Sequence, residues 1–185
     1  SLTPSDVHHR FYKSAMSANH VLITGTTSGI GRALMDYYAK AGARVTAVNR
    51  RRDAALESSY PAVRFECIDV RDAKGIQSLI SRVAQARELP DLFILNAGIN
   101  RVDNDALLDV DTYREAWETN LMGAMHFAAP LTALKSWPHR VTVIAISSST
   151  NYAANPYCLG YYVGKKALTE SFKILSSMYA GTNLD

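Results

Sequence analysis

The sequence predicts a doubly wound parallel α/β sheet, and three observations carry that expectation. Five short apolar runs rich in β-branched residues (20–24, 45–48, 63–68, 92–95 and 141–146) alternate with amphipathic stretches, as in strands enclosed between crossover helices. A glycine-rich turn follows the first run and opens the first amphipathic stretch. The 185 residues, 48% of them hydrophobic, are enough for one sizeable core.

Composition narrows the function classes. No apolar run reaches the roughly 18 residues a membrane span requires. The net charge of +3 comes from scattered rather than striped basic residues, which gives a nucleic-acid role no support. Cys67 and Cys158 stand apart, with no metal or redox spacing, and read as free thiols of a reducing, cytoplasmic setting. No metal site is expected. Residues 1–19 hold the pair His8-His9 and no apolar leader segment, so they read as a surface arm or helix before a single domain over 20–185.

The elements follow in order. The first strand, 20–24, ends at Gly25, and a helix runs over 29–41. Gly42 precedes the second strand, 45–48, and the third covers 63–68. A helix over 73–87 leads to the fourth strand, 92–95. A long helix, entered near Asp111-Thr112, reaches about residue 135, and 141–146 is the fifth strand. A last helix begins near Leu159.

The first strand–helix junction is Thr24-Gly-Thr-Thr-Ser-Gly-Ile-Gly31. Glycines at 25, 29 and 31 allow a sharp turn and close approach to a pyrophosphate whose charge rests on the helix N-terminus, with Thr27, Ser28 and Ile30 lining the same turn. The alternative is a tight turn that simply needs glycine, but the strand–turn–helix context favours a Rossmann-like dinucleotide site. An acidic residue about 20 positions beyond such a loop would bind a ribose 2′-hydroxyl. Here Asn49 stands at the second strand's end, followed by Arg50, Arg51 and Arg52. Guanidinium groups suit a 2′-phosphate, which points to NADP rather than NAD, with Arg50 nearest the strand end. Ser28 occupies a loop position where a further basic residue would have reinforced that preference.

The segment after the fifth strand carries the reactive groups. Tyr161 and Lys165 are i and i+4 on a helix and share one face, so the ammonium would favour the phenolate and draw a phenol pKa of roughly 10 toward the working range of a general acid and base. Ser148, at the preceding strand's end, can hydrogen-bond the same substrate oxygen. A Tyr/Lys pair at this spacing also occurs on solvated helices, and Tyr162/Lys166 forms a second one.

With these residues in place, the chain from Val21 onward resembles the short-chain dehydrogenase/reductase family, in the branch whose loop is spaced T-G-x-x-x-G-x-G. The resemblance implies an adenine-contacting role for Asp69-Val70, and for Asn96-Ala97-Gly98 the role of the family's N-A-G motif, which supports the sheet and shapes the cleft. It gives Asn120 the place of the helix asparagine that holds a water beside the lysine. Ser148, Tyr161 and Lys165 match the remaining catalytic members; the phase Lys165-Lys166-Ala167-Leu168 selects Tyr161/Lys165 over Tyr162/Lys166. The implied activity is NADP-dependent hydride transfer between the nicotinamide and a small carbonyl or alcohol, with Tyr161 moving the proton, Ser148 orienting the oxygen, and Lys165 also holding the nicotinamide ribose.

The sequence departs from the family after Gly181-Thr-Asn-Leu-Asp185, where relatives continue with further strands and a substrate lid. The fifth strand is then expected to be the sheet's last, buried on both faces, with a hydrophobic edge to be covered by a further part of a longer chain, by a partner or by the N-terminal arm. Tyr152, Asn155, Tyr157 and Cys158 would either line one wall of a substrate pocket or form only a connecting loop. Two other functions are weighed: a non-catalytic nucleotide-binding or regulatory subunit, and a nucleotide-using isomerase or dehydratase. The joint presence of Asn120, Ser148, Tyr161 and Lys165 speaks against the first, and the loop spacing against the second. Relatives pair through the corresponding helices, so a homodimer or homotetramer is expected, with Met122, Met125, Phe127, Phe172 and Ile174 offering apolar contacts or facing the core.

Overall fold

The computed structural model describes residues 17–101, 109–134, 136–149 and 158–185. Five strands, β1 (His20–Thr24), β2 (Arg44–Asn49), β3 (Arg64–Cys67), β4 (Leu92–Leu95) and β5 (Thr142–Ala145), form one parallel sheet in the order β3-β2-β1-β4-β5. The chain steps outward from β1 to β3, then returns past β1 to β4. That reversal opens a crevice at the C-terminal ends of β1 and β4, where ligands bind in doubly wound sheets.

Side-chain alternation divides the core between the two faces of the sheet. Leu22, Phe93 and Leu95 join Ile76, Leu79, Ile80, Phe127 and Leu131 on one face. Val21, Ile23, Leu92 and Ile94 join Met35 and Tyr38 on the other. Central β1 is buried along its whole length, which is why its sequence is a continuous apolar run rather than an alternating one.

The helices are α1 (Gly29–Lys40), α2 (Ala54–Ser59), α3 (Ala73–Gln85), α4 (Val110–Trp117), α5 (Gly123–Thr132) and α6 (Leu159–Met178). No sequence pattern marks α2. It is one and a half turns long, capped by Asp53 and anchored by Leu56 alone, too short to show helical periodicity. The long helix expected over 112–135 runs instead from Val110 to Thr132, with a π-helical turn at Glu118–Met122 between α4 and α5. Residue 135 lies outside the described residues.

The expectation for β5 needs correction. Its Thr142 is buried, but residues 143–145 are only half-buried. Its outer edge is partly paired: the N–H of Val141 donates to Asn183 O at 2.7 Å, Val143 N–H to Asp185 O at 2.8 Å, and Asp185 N–H to Val141 O at 2.9 Å, in parallel register. The Asp185 carboxylate also accepts from the Arg140 guanidinium. Residues 183–185 thus take the position of a sixth strand beside β5.

Among the residues considered for self-association, Phe127 is fully buried in the core, whereas Ile174 is 61% exposed. Met122, Met125 and Phe172 are half-buried. No described helix is long and apolar enough to cross a membrane.

Candidate active site

The glycine loop joins β1 to α1. Gly25 and Gly29 adopt φ of +73° and +58°, a region side chains disfavour. Gly31 is required by space instead: a Cβ there would lie 2.1 Å from Gly25 O and 2.5 Å from Asn96 Nδ2. Ser28 occupies the N-cap of α1 in extended conformation and makes no side-chain cap. Helices α2, α3 and α4 contrast with this, each capped by an aspartate: Asp53, Asp72 and Asp109. The N-terminus of α1, the positive end of the helix dipole, thus carries no side-chain cap.

Two amides pin this loop. Asn96 Nδ2 donates to Thr24 O and Gly25 O, both at 3.1 Å, while Thr24 Oγ1 accepts from the backbone N–H of Asn96 at 3.0 Å and of Ala97 at 2.9 Å. From the other side, Asn49 Oδ1 accepts from Thr26 N–H at 2.8 Å and Asn49 Nδ2 donates to Thr26 Oγ1 at 2.9 Å. Asn49, which stands where an acidic residue would bind a ribose 2′-hydroxyl, is buried, and its amide is committed to the loop. Thr26, its partner, was not singled out in the sequence because it fills a variable position of the motif.

A cleft of about 780 Å³ runs from this loop across the ends of β2, β3 and β4. Gly25, Thr27, Ser28, Ile30, Asn49, Arg50, Asp69, Val70, Asn96, Ala97 and Gly98, all singled out in the sequence, line it, whereas Gly29 and Gly31 do not. Its charges are unevenly committed. Asp53 accepts from Leu56 N–H, Arg52 pairs with Glu57, and Asp69 pairs with Arg71. Among the described residues, Arg50 and Arg51 have no ion-pair partner, which leaves two cations facing the cleft. Arg71, also in the cleft wall, drew no attention in the sequence.

At the other end, Asn120 is 1% exposed within the π-helical turn. Its Oδ1 accepts from Ile99 N–H and its Nδ2 donates to Ile99 O, both at 2.8 Å. Lys165 on α6 is 4% exposed and its Nζ donates to Ile146 O, past the end of β5, at 2.6 Å. Burial pushes the Lys165 ammonium down to about 8. Gly98 lies against both: a Cβ there would be 2.8 Å from Asn120 Oδ1 and 3.5 Å from Lys165 Nζ. Lys165 Nζ stands 5.9 Å from the Tyr161 ring centroid. In the neighbouring pair Lys166 is exposed, 5.1 Å from the Tyr162 ring. Ser148 and Tyr161 are half-buried. The hydroxyl of Ser147 is engaged elsewhere, 2.6 Å from Thr169 Oγ1 on α6.

Of the suggested pocket wall, Tyr152, Asn155 and Tyr157 lie outside the described residues, and Cys158 is buried at the start of α6. Among the described residues no group of histidine, cysteine or carboxylate side chains could hold a metal ion.

A family model described as short chain dehydrogenase matches residues 19–185. The sequence is 29% identical over 166 residues to 11-beta-hydroxysteroid dehydrogenase A of Sesamum indicum, covering 84% of this chain and 47% of that protein. It is 27% identical over 173 residues to the uncharacterized oxidoreductase YvrD of Bacillus subtilis, covering 89% of this chain and 64% of that protein. The crystal structure of a short-chain dehydrogenase from Streptomyces avermitilis shares the fold with a TM-score of 0.80 at 24% identity, over 91% of this chain and 64% of that one. The chain spans about half to two thirds of the length of these relatives.

Proposed function

Because the chain belongs to the short-chain dehydrogenase/reductase family, we propose that it binds NADP and transfers hydride between that cofactor and a small carbonyl or alcohol, with Tyr161 as general acid and base. The observation that carries the proposal is Lys165, a buried ammonium one helical turn from Tyr161 and adjoining Gly98 and Asn120 at the ligand-binding end of the sheet.

The residues present fit a dinucleotide. The uncapped N-terminus of α1 and the close packing of Gly31 on Gly25 suit a pyrophosphate. Arg50 and Arg51 suit a 2′-phosphate. Asp69 and Val70 would border the adenosine half, and Asn96, Ala97 and Gly98 would line the cleft floor. When bound, the nicotinamide supplies or accepts the hydride.

In carbonyl reduction the Tyr161 hydroxyl donates its proton to the substrate oxygen, and the Ser148 hydroxyl donates a hydrogen bond to the same atom. The Lys165 ammonium stabilises the phenolate left behind, and would also hold the ribose hydroxyls of a bound cofactor. Asn120 holds the backbone of Ile99 and so fixes the segment after Gly98 beside that lysine. In alcohol oxidation the Tyr161 phenolate takes the hydroxyl proton.

The test is a titration with NADPH and then NADH, followed by nicotinamide fluorescence, and a carbonyl screen with NADPH. NADPH is expected to bind about tenfold or more tightly than NADH, the scale of a charge-assisted hydrogen bond, and the Arg50→Ala/Arg51→Ala double variant is expected to lose that preference. Equal affinities would remove NADP from the proposal, and no binding by a folded protein would remove the dinucleotide altogether.

A further inference from the structure

We infer that Arg71 sets how the cleft reads the purine base of its nucleotide, by covering the Asp69 carboxylate with a guanidinium. The inference rests on the dinucleotide reading of the cleft. In a doubly wound sheet the pyrophosphate lies on the glycine loop after β1 and the adenosine ribose at the end of β2. The base then extends toward the wall that follows β3, formed here by Asp69, Val70 and Arg71.

That wall is not a bare anion. Asp69 Oδ1 accepts from Arg71 N–H at 3.0 Å and from Arg71 Nε at 3.1 Å; Oδ2 accepts from Arg71 Nη2 at 2.7 Å and from Nε at 3.2 Å. Both carboxylate oxygens are thus engaged by one residue, and both side chains remain partly exposed, at 26% for Asp69 and 38% for Arg71.

The chemistry of recognition changes accordingly. An uncovered carboxylate only accepts hydrogen bonds, so it welcomes the 6-amino group of adenine and repels the 6-oxo group of hypoxanthine. A carboxylate neutralised by guanidinium offers weaker selection, because the remaining N–H groups of Arg71 can also donate to an oxo group. Arg71 therefore flattens base discrimination.

The test compares NADPH with its hypoxanthine analogue in fluorescence titrations of the wild type, Arg71→Ala and Arg71→Lys, with circular dichroism and thermal midpoints as fold controls. Arg71→Ala is expected to raise the preference for the adenine form by about fivefold or more. Arg71→Lys keeps a cation but not the two-point contact and is expected to fall between. A purely structural role would weaken both ligands alike and leave their ratio unmoved; an unchanged ratio in Arg71→Ala overturns the inference. If the wild type binds neither dinucleotide, the reading of the cleft fails first and this inference with it.

Discussion

The ammonium of Lys165 donates to the carbonyl oxygen of Ile146 at 2.6 Å and so ties α6 to the chain just past β5. Its burial lowers the group to about 8, against about 10.4 for a free lysine. The charged form is lost as pH rises through 8 in the fold, but only near 10.4 in the unfolded chain. Between these values the unfolded chain binds more protons, so this group's contribution to stability rises with pH across that window. In an NMR titration of lysine labelled at Cε, one resonance absent from Lys165→Met is expected to shift with a midpoint near 8. A Lys165 midpoint in the ordinary lysine range would show that the ammonium is solvated.

Tyr161→Phe deletes the hydroxyl and keeps the ring. Carbonyl reduction is expected to fall by about 10²–10⁴, the range of general acid–base catalysis, with NADPH affinity unchanged. Tyr162→Phe is expected to retain most turnover. A reversed ranking of the two variants would transfer the proton-donating role to Tyr162.

Asn49 and Thr26 are one device. Thr26→Val leaves a buried amide half-satisfied, at a cost of about 1–3 kcal/mol, readable as a lower urea midpoint. Cofactor affinity is expected to fall in parallel, because the loop loses its anchor on β2. Loss of affinity at full stability would mean that Thr26 touches the ligand directly.

His20 contributes to acid sensitivity. Arg44 Nη2 lies 2.8 Å from its Nδ1; a guanidinium can only donate, so Nδ1 accepts and Nε2–H donates to Thr46 Oγ1 at 2.9 Å. Burial first, and then the Arg44 charge, hold the imidazole down at about 4, with Asp91 and Glu88 pulling the other way. The unfolded imidazole takes up its proton near 6.5, so this group's contribution to stability is full above that pH and is lost as pH drops toward 4. Urea midpoints for wild type and His20→Gln between about pH 7 and pH 4 would check this. The variant is expected to show the flatter profile, and equal slopes would clear His20 of the effect.

Much of the fold was legible because its signals are local and repeated. The β-branched runs of β1, β2 and β4, and the glycines before α1, each declare themselves within a few residues. Helix α2 did not, because a single buried Leu56 makes no pattern. The partly covered edge of β5 arises from a contact between residues some forty positions apart, Val141 and Leu184, which no local window contains. The site was legible as residue types at spacings, but not as commitments. Spacing gives Tyr161/Lys165 and Tyr162/Lys166 equally; one residue of helical rotation buries Lys165 and exposes Lys166. Likewise the position of Asn49 marks the end of β2, while the use of its amide depends on Thr26, which stands 23 residues earlier in the chain.

The loop between β1 and α1 is held from β2 by Asn49 and from the chain after β4 by Asn96. A segment fixed at both flanks has little freedom left to surrender, so a phosphate ligand meets donors already in position. Calorimetry would register this as an association whose entropy is dominated by solvent and ligand rather than by ordering of the polypeptide, with hydrogen exchange at the loop already slow before anything binds.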